Sequence, residues 1–193
     1  MSSRTAREVT GRASSAMVAL IPIAIAINFV GKYLAQAIHL PLFLDTIGTV
    51  LAGALGGPWA GGLAGALTNV IYGLAIHPTS TPYAIVNLAI GIFVGLVARW
   101  FTRPGLTLAA GIIITFIAAI LSAPITAVVF GGVTGNGSDL LTAFFLKTGR
   151  NLWQSVFATE FLVEIVDKVV TCYIVFFILR SLPQRTRVRF GIA

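Results

Sequence analysis

The sequence predicts an all-α integral membrane protein, a bundle of six transmembrane helices that forms a single membrane domain over 1–193. Three observations predict it. Apolar residues make up 57% of the chain and charged residues only 10%, with a mean hydropathy of +0.95, whereas a soluble domain carries about 25% charged residues. The apolar residues lie in runs near the ~20 residues a helix needs to cross a bilayer. These runs are too long and too weakly alternating for barrel strands. Third, the basic residues gather at the ends of the apolar runs, on one side of the membrane more than the other.

The elements follow in order. The first span is expected over 16–38, a retained helix behind a basic, polar N-terminal stretch, interrupted by Asn28, Lys32 and Gln36. The second, 41–55, is short and carries Asp45 near its start. Gly56-Gly57-Pro58 marks a tight turn, with Pro suited to the first position of the next helix. The third span is 58–76. His77 to Pro82 reads as a loop, and the fourth span is 82–101, closed by the turn Thr102 to Gly105. The fifth, 106–130, carries no charge. Gly131 to Ser138 is a glycine-rich loop, and Asp139 to Asn151 has the mixed character of a short interfacial helix. The sixth span, 152–182, is charged in its first half, and Pro183 ends it.

Orientation follows from Lys and Arg near the span ends. With six spans, Arg4, Arg7, Arg12, Arg99, Arg103, Arg180, Arg185, Arg187 and Arg189 fall on one side. Lys147, Arg150 and Lys32 lie at or near the other, and Lys168 is within the last span. The arginine-rich side is therefore expected in the cytoplasm with both termini, in a multi-pass protein of the cell membrane. The net charge of +7 is explained by this asymmetry, and no basic helix face points to nucleic acid.

Glycines recur at four-residue spacing in Gly53, Gly57, Gly61 and Gly65, and again in Gly91 and Gly95. Small residues at this spacing let helices approach closely in lipid, and both sets are read as internal packing. Ser15, Ala16 and Ala19 form a small-residue face on the first helix, read either as internal packing or as a docking face for another membrane protein.

Polar groups within a bilayer are costly and usually face a cavity or a partner. At about 100° per residue, Glu160, Glu164, Asp167, Lys168 and Trp153 share one sector of the sixth span. Glu164 and Lys168, four apart in the favourable order, are expected to pair. Asn28, Lys32 and Gln36 form a stripe on the first span, Asn69 and Tyr72 lie late in the third, and Tyr83 and Asn87 share a face of the fourth. With Asp45, most of these fall in the outer half of their spans. They predict a polar cavity open to the outside, lined by Asn28, Lys32, Asp45, Asn69, Tyr72, Tyr83, Asn87, Trp153, Glu160, Glu164 and Lys168. The acidic excess favours a ligand with an amine or cationic ring, on which Trp153 and Tyr83 could stack. Alternatively, Lys32 and Lys168 meet a carboxylate.

The sequence carries no phosphate-binding loop, since Gly31-Lys32 lacks the upstream Gly and the following Ser or Thr. There is no HExxH, and a metal site from His39, His77 and Asp45 is disfavoured, as is any catalytic nucleophile. The chain is therefore read as neither an enzyme nor an ATPase.

Three stretches carry a family resemblance: Leu44-Asp45-Thr46-Ile47-Gly48-Thr49 running on to Gly56-Gly57-Pro58-Trp59, Gly61-Gly62 through Leu67-Thr68-Asn69, and Glu164-Ile165-Val166-Asp167-Lys168 before a span ending Arg180 to Pro183. With the length and six-span pattern, the chain resembles the substrate-binding S components of energy-coupling factor (ECF) transporters, a type of ABC transporter. The resemblance implies high-affinity capture of a vitamin or similar micronutrient from outside. It implies partners too: a membrane coupling (T) subunit and two cytoplasmic ATPase subunits that use ATP, with no cofactor in this chain itself. It places the docking role on the first helices, here Ser15, Ala16 and Ala19. Two other readings share the polar cavity: a membrane ligand-sensor domain, and a solitary proton-coupled carrier with Glu160 and Glu164 as proton sites.

Overall fold

The computed structural model describes the backbone over residues 3–184 and the side chains over residues 19–184. It is all-α, with six helices: α1 (Ser3–Ala37), α2 (Ile47–Ala75), α3 (Ala84–Leu96), α4 (Pro104–Pro124), α5 (Asp139–Lys147) and α6 (Leu152–Ser181). Short 3-10 turns at Pro78–Tyr83 and Ala98–Thr102 flank α3, and α4 continues into a π turn at Ile125–Val129. Among the described residues, four stretches are long and apolar enough to cross a membrane: Ala19–Ala37, Ile47–Ala75, Pro78–Leu96 and Pro104–Val129. They mark a multi-pass membrane protein. Large apolar side chains such as Leu74, Leu96, Ile120 and Phe177 face outward, as expected where lipid is the outer solvent. Helix α6 is 30 residues long, about 45 Å, but carries four charges in its middle.

Helix α2 is two arms. Gly57 sits at φ 84° and ψ −175°, a conformation open to glycine alone, and Pro58 starts the second arm. The chain folds back so sharply that Gly61 lies against Gly53. The first arm, Ile47 to Gly56, is only about 15 Å long. Helix α3 closes on both arms. A methyl group on Gly91 would come within 2.2 Å of the Gly61 carbonyl carbon, and one on Gly95 within 2.2 Å of Pro58 N. Gly53, Gly61, Gly65, Gly91 and Gly95 are thus internal packing sites, where absent side chains let three helical segments touch backbone to backbone, whereas an added methyl on Gly57 would meet nothing within 4 Å and that glycine serves the reversal instead.

The expected second span needs correction at its start. Pro41 to Thr46 is an irregular strap, not helix. Leu44 has φ 49°, and the Asp167 carboxylate accepts from Phe43 N at 3.1 Å and Leu44 N at 2.8 Å. A side chain from α6 therefore supplies the partners that a helix would have supplied. The interfacial helix also ends earlier than expected, at Lys147, where Gly149 takes φ 85°.

Helix α2 packs most heavily on α3 and α4 on α6, with α1 laid against α2 at the edge of the bundle. The core runs through Val50, Ile90, Val94, Phe101, Ile114 and Val175. Helices α4 and α6 run antiparallel: Thr126 meets Glu160, Thr115 meets the Glu164 carbonyl, and Tyr173 meets the Pro104 carbonyl. Ala19, the described member of the small-residue face, is exposed. Ser15 and Ala16 lie outside the described side chains.

Candidate functional site

One end of the bundle holds a cavity. It is built from the end of α1, the Pro41 to Thr46 strap, the start of α3 with its preceding 3-10 turn, the end of α4, the Thr134 to Asn136 loop and the first half of α6. Its volume is about 40 Å³, room for about three water molecules at 10–15 Å³ each.

Of the residues expected from sequence, Lys32, Asp45, Tyr83, Asn87, Glu160, Glu164 and Lys168 line it. An ion-pair cluster occupies one part. The Lys168 ammonium lies 2.7 Å from Asp167, 2.9 Å from Glu164 and 3.8 Å from Asp45. Lys32 lies 3.5 Å from Asp45, donates to Asn69 Oδ1, and sits 5.1 Å from the centre of the Tyr72 ring. Asn87 donates to Asp45 at 3.2 Å. Charges held this far from water require such pairing. The expected Glu164–Lys168 pair is present. Glu164 Oε2 has no aligned hydrogen-bond donor, only the ammonium.

Glu160 is placed differently. It lies eight residues before Lys168, about 12 Å nearer the N-terminus of α6. Thr126 Oγ1 donates to it at 2.7 Å and Ser122 Oγ approaches at 3.1 Å. The Ser122 hydroxyl also faces the Ala118 carbonyl at 2.6 Å, and Tyr83 Oη lies 2.6 Å from Thr126 Oγ1. The π turn after Pro124 carries Thr126 to this position.

Four expected residues do not line the cavity. Asn28, fully buried, lies one turn further down α1. Its Oδ1 accepts from Gly48 N at 2.7 Å and Thr49 N at 3.3 Å, and its Nδ2 donates to the Thr49 and Thr68 hydroxyls. It caps the start of α2, where backbone N–H groups lack helical partners. Asn69 stands behind Lys32 and donates to the Tyr83 carbonyl at 3.2 Å. Tyr72 hydrogen-bonds Gln36. Both support the wall. Trp153 is 49% exposed and outside the cavity. It shares the angular sector of Glu160 but lies seven residues, about 10 Å, beyond it along the axis, so it cannot stack on a ligand held beside Glu160.

The structure adds Phe43, Thr79, Ser80, Val86, Ser122, Thr134 and Asn136 to the lining. Ser122 and Thr126, four apart in the charge-free span, were a readable signal of one polar face. Val86 is on α3, and the others sit in the strap, the 3-10 turn and a loop, whose placement no periodicity reveals. These loops cover the cavity and are tied together: Thr79 Oγ1 donates to the Thr134 carbonyl at 3.2 Å, and Gln36 to Asn136 at 2.9 Å. Asp139 holds the second loop through Thr134 N and Gly135 N. Among the described residues no group of His, Cys, Asp and Glu gathers as a metal site requires.

Comparison of the chain with protein-family models, with curated proteins and with solved structures returns no match.

Proposed function

We propose that this chain is the membrane-embedded substrate-binding subunit of an uptake system of the ECF type. It captures a small micronutrient from outside the cell and works with a membrane coupling subunit and two ATPase subunits. One observation carries the reading: a cavity lined by buried charged and polar groups, assembled from six segments at one end of an apolar helical bundle. Arg99, Arg103 and Arg180 belong to the opposite end, between α3 and α4 and at the close of α6. The positive-inside rule puts that end in the cytoplasm, so the cavity faces outward. In this topology the Pro41 to Thr46 strap together with the first arm of α2 makes one pass and the second arm another, and with α1, α3, α4 and α6 they make six passes through the plasma membrane, both termini inside.

The chain is a binder, not an enzyme. ATP is spent by its partners, and it needs no cofactor of its own. The coupling subunit docks on α1 at the exposed Ala19, with Ser15 and Ala16 assigned to the same face by the family resemblance alone. The cavity volume fits a closed state. Micronutrient-sized ligands enter when the Thr79–Ser80 and Thr134–Asn136 covers separate.

The test is capture of the tagged chain from its native membrane in mild detergent, followed by mass spectrometry of what comes with it. Recovery of a polytopic membrane protein and two ATPase subunits is expected. Their repeated absence from intact, monodisperse chain overturns the uptake reading in favour of a sensor or a solitary carrier.

A further inference from the structure

The hydrogen-bonding capacity of the cavity decides the charge of its ligand, given that the cavity is a ligand site. An ammonium has three N–H donors. The Lys168 ammonium donates to Asp167 at 2.7 Å and forms ion pairs with Glu164 at 2.9 Å and Asp45 at 3.8 Å. Lys32 is engaged by Asn69, Asp45 and the Tyr72 ring. Both cations are thus already faced by carboxylates of this chain, which leaves neither as an unpaired charge for an anionic ligand. A carboxylate has about four acceptor sites, and Glu160 is 4% exposed. It has one committed donor, Thr126, and a second, Ser122, shared with the Ala118 carbonyl. Among the described residues no Lys, Arg or His lies within ion-pair distance of it.

We propose that Glu160 is the anchor of the ligand, and that the ligand is a small organic cation whose protonated amine or cationic ring meets this carboxylate beside Ser122 and Tyr83. The charge balance of the cavity points the same way. Asp45, Glu160 and Glu164 face it against Lys32 and Lys168, so the lining has one carboxyl group more than it has ammonium groups, and Asp167 behind it adds another. A cationic ligand offsets a buried charge that is otherwise costly. The present volume, room for about three waters, suits an ammonium head, with the rest of the ligand requiring the covering loops to part.

The test uses three probes of one shape and different charge on the detergent-purified full chain: benzylammonium, benzyl alcohol and benzoate. Thermal stabilisation is followed against probe concentration at constant ionic strength. Benzylammonium is expected to stabilise saturably, the other two not. Glu160→Gln is expected to raise the half-saturating concentration by about 10- to 100-fold, the worth of a hydrogen bond to a charged group. Glu160→Asp, which keeps the charge and is the safer variant for folding, raises it by less. Stabilisation by benzoate overturns the proposal, as does the lack of a saturable benzylammonium effect on folded chain, or an equal effect in the Gln variant. Because no partner takes part, this result is independent of the capture experiment. Cation binding without ATPase partners refutes only the uptake assignment, and ATPase partners without cation binding refute only the ligand class.

Discussion

Substituting Gly91→Ala tests the link between helix packing and the cavity. The added methyl would lie 2.2 Å from Gly61 C, 2.3 Å from Gly61 O and 2.4 Å from Gly62 N. Ordinary contact begins near 3.4 Å, so α3 must move away from α2 by about 1.2 Å. All three atoms are backbone, so no side chain can swing aside. The cost therefore belongs at the upper end of the overpacking range, about 3 kcal/mol. Alanine returns about 1 kcal/mol through its better helix propensity, which leaves a net loss of about 2 kcal/mol. For a chain of this size that lowers the thermal midpoint by roughly 4–8 °C. The same displacement moves Asn87, one turn away on α3, from the Asp45 carboxylate it meets at 3.2 Å, so ligand affinity falls as well. Thermal scanning of the detergent-purified protein is the assay. Gly105→Ala is the control, because no atom lies within 4 Å of its added methyl, and its midpoint stays level or rises slightly. A Gly91→Ala midpoint indistinguishable from wild type would refute the close-approach reasoning.

Three further outcomes follow. Asn28→Ala strips the cap from α2 and leaves two buried backbone donors unpaired, a loss of about 2–6 kcal/mol at 1–3 kcal/mol for each unsatisfied group; it appears as a lowered midpoint, with affinity kept in the fraction that remains folded. Asp167→Asn loosens the Pro41 to Thr46 strap. Hydrogen exchange at the Phe43 and Leu44 amides then accelerates by up to about 10-fold, because a neutral amide oxygen accepts more weakly than the carboxylate. Trp153→Ala leaves ligand retention within about twofold, because the indole is outside the cavity and exposed substitutions cost about 0.5 kcal/mol or less; a larger loss places the indole on the ligand.

What the sequence made legible was mostly periodic. The charge-free run became α4 and its π turn, and the charged run became α6. Gly56-Gly57-Pro58 marked the reversal within α2. The Glu164–Lys168 pair followed from spacing on one helix. The strap escaped because Pro41 to Leu44 is apolar, and an apolar run reads as helix unless the distant carboxylate that reshapes it is known. Angular position found the correct sector of α6, but depth separated Trp153 from Glu160, and a helical wheel discards depth. Asn28 could not be told from a ligand contact, since a buried amide capping a neighbouring helix has the same sequence signature. The cavity's loop residues were invisible for a related reason: Thr79 and Thr134 meet through a tertiary contact between two loops.

The most direct test of the central claim, that this cavity holds a small molecule tightly, is to ask what the chain carries. The protein is produced in rich medium, purified without added ligand and denatured, and the released small molecules are identified and quantified by mass spectrometry. The account predicts one compound, present near one per chain in wild type, positively charged at neutral pH, and strongly depleted from Glu160→Gln. Repeated recovery of folded wild-type chain with no bound compound, or with one retained equally by the Gln variant, would contradict it.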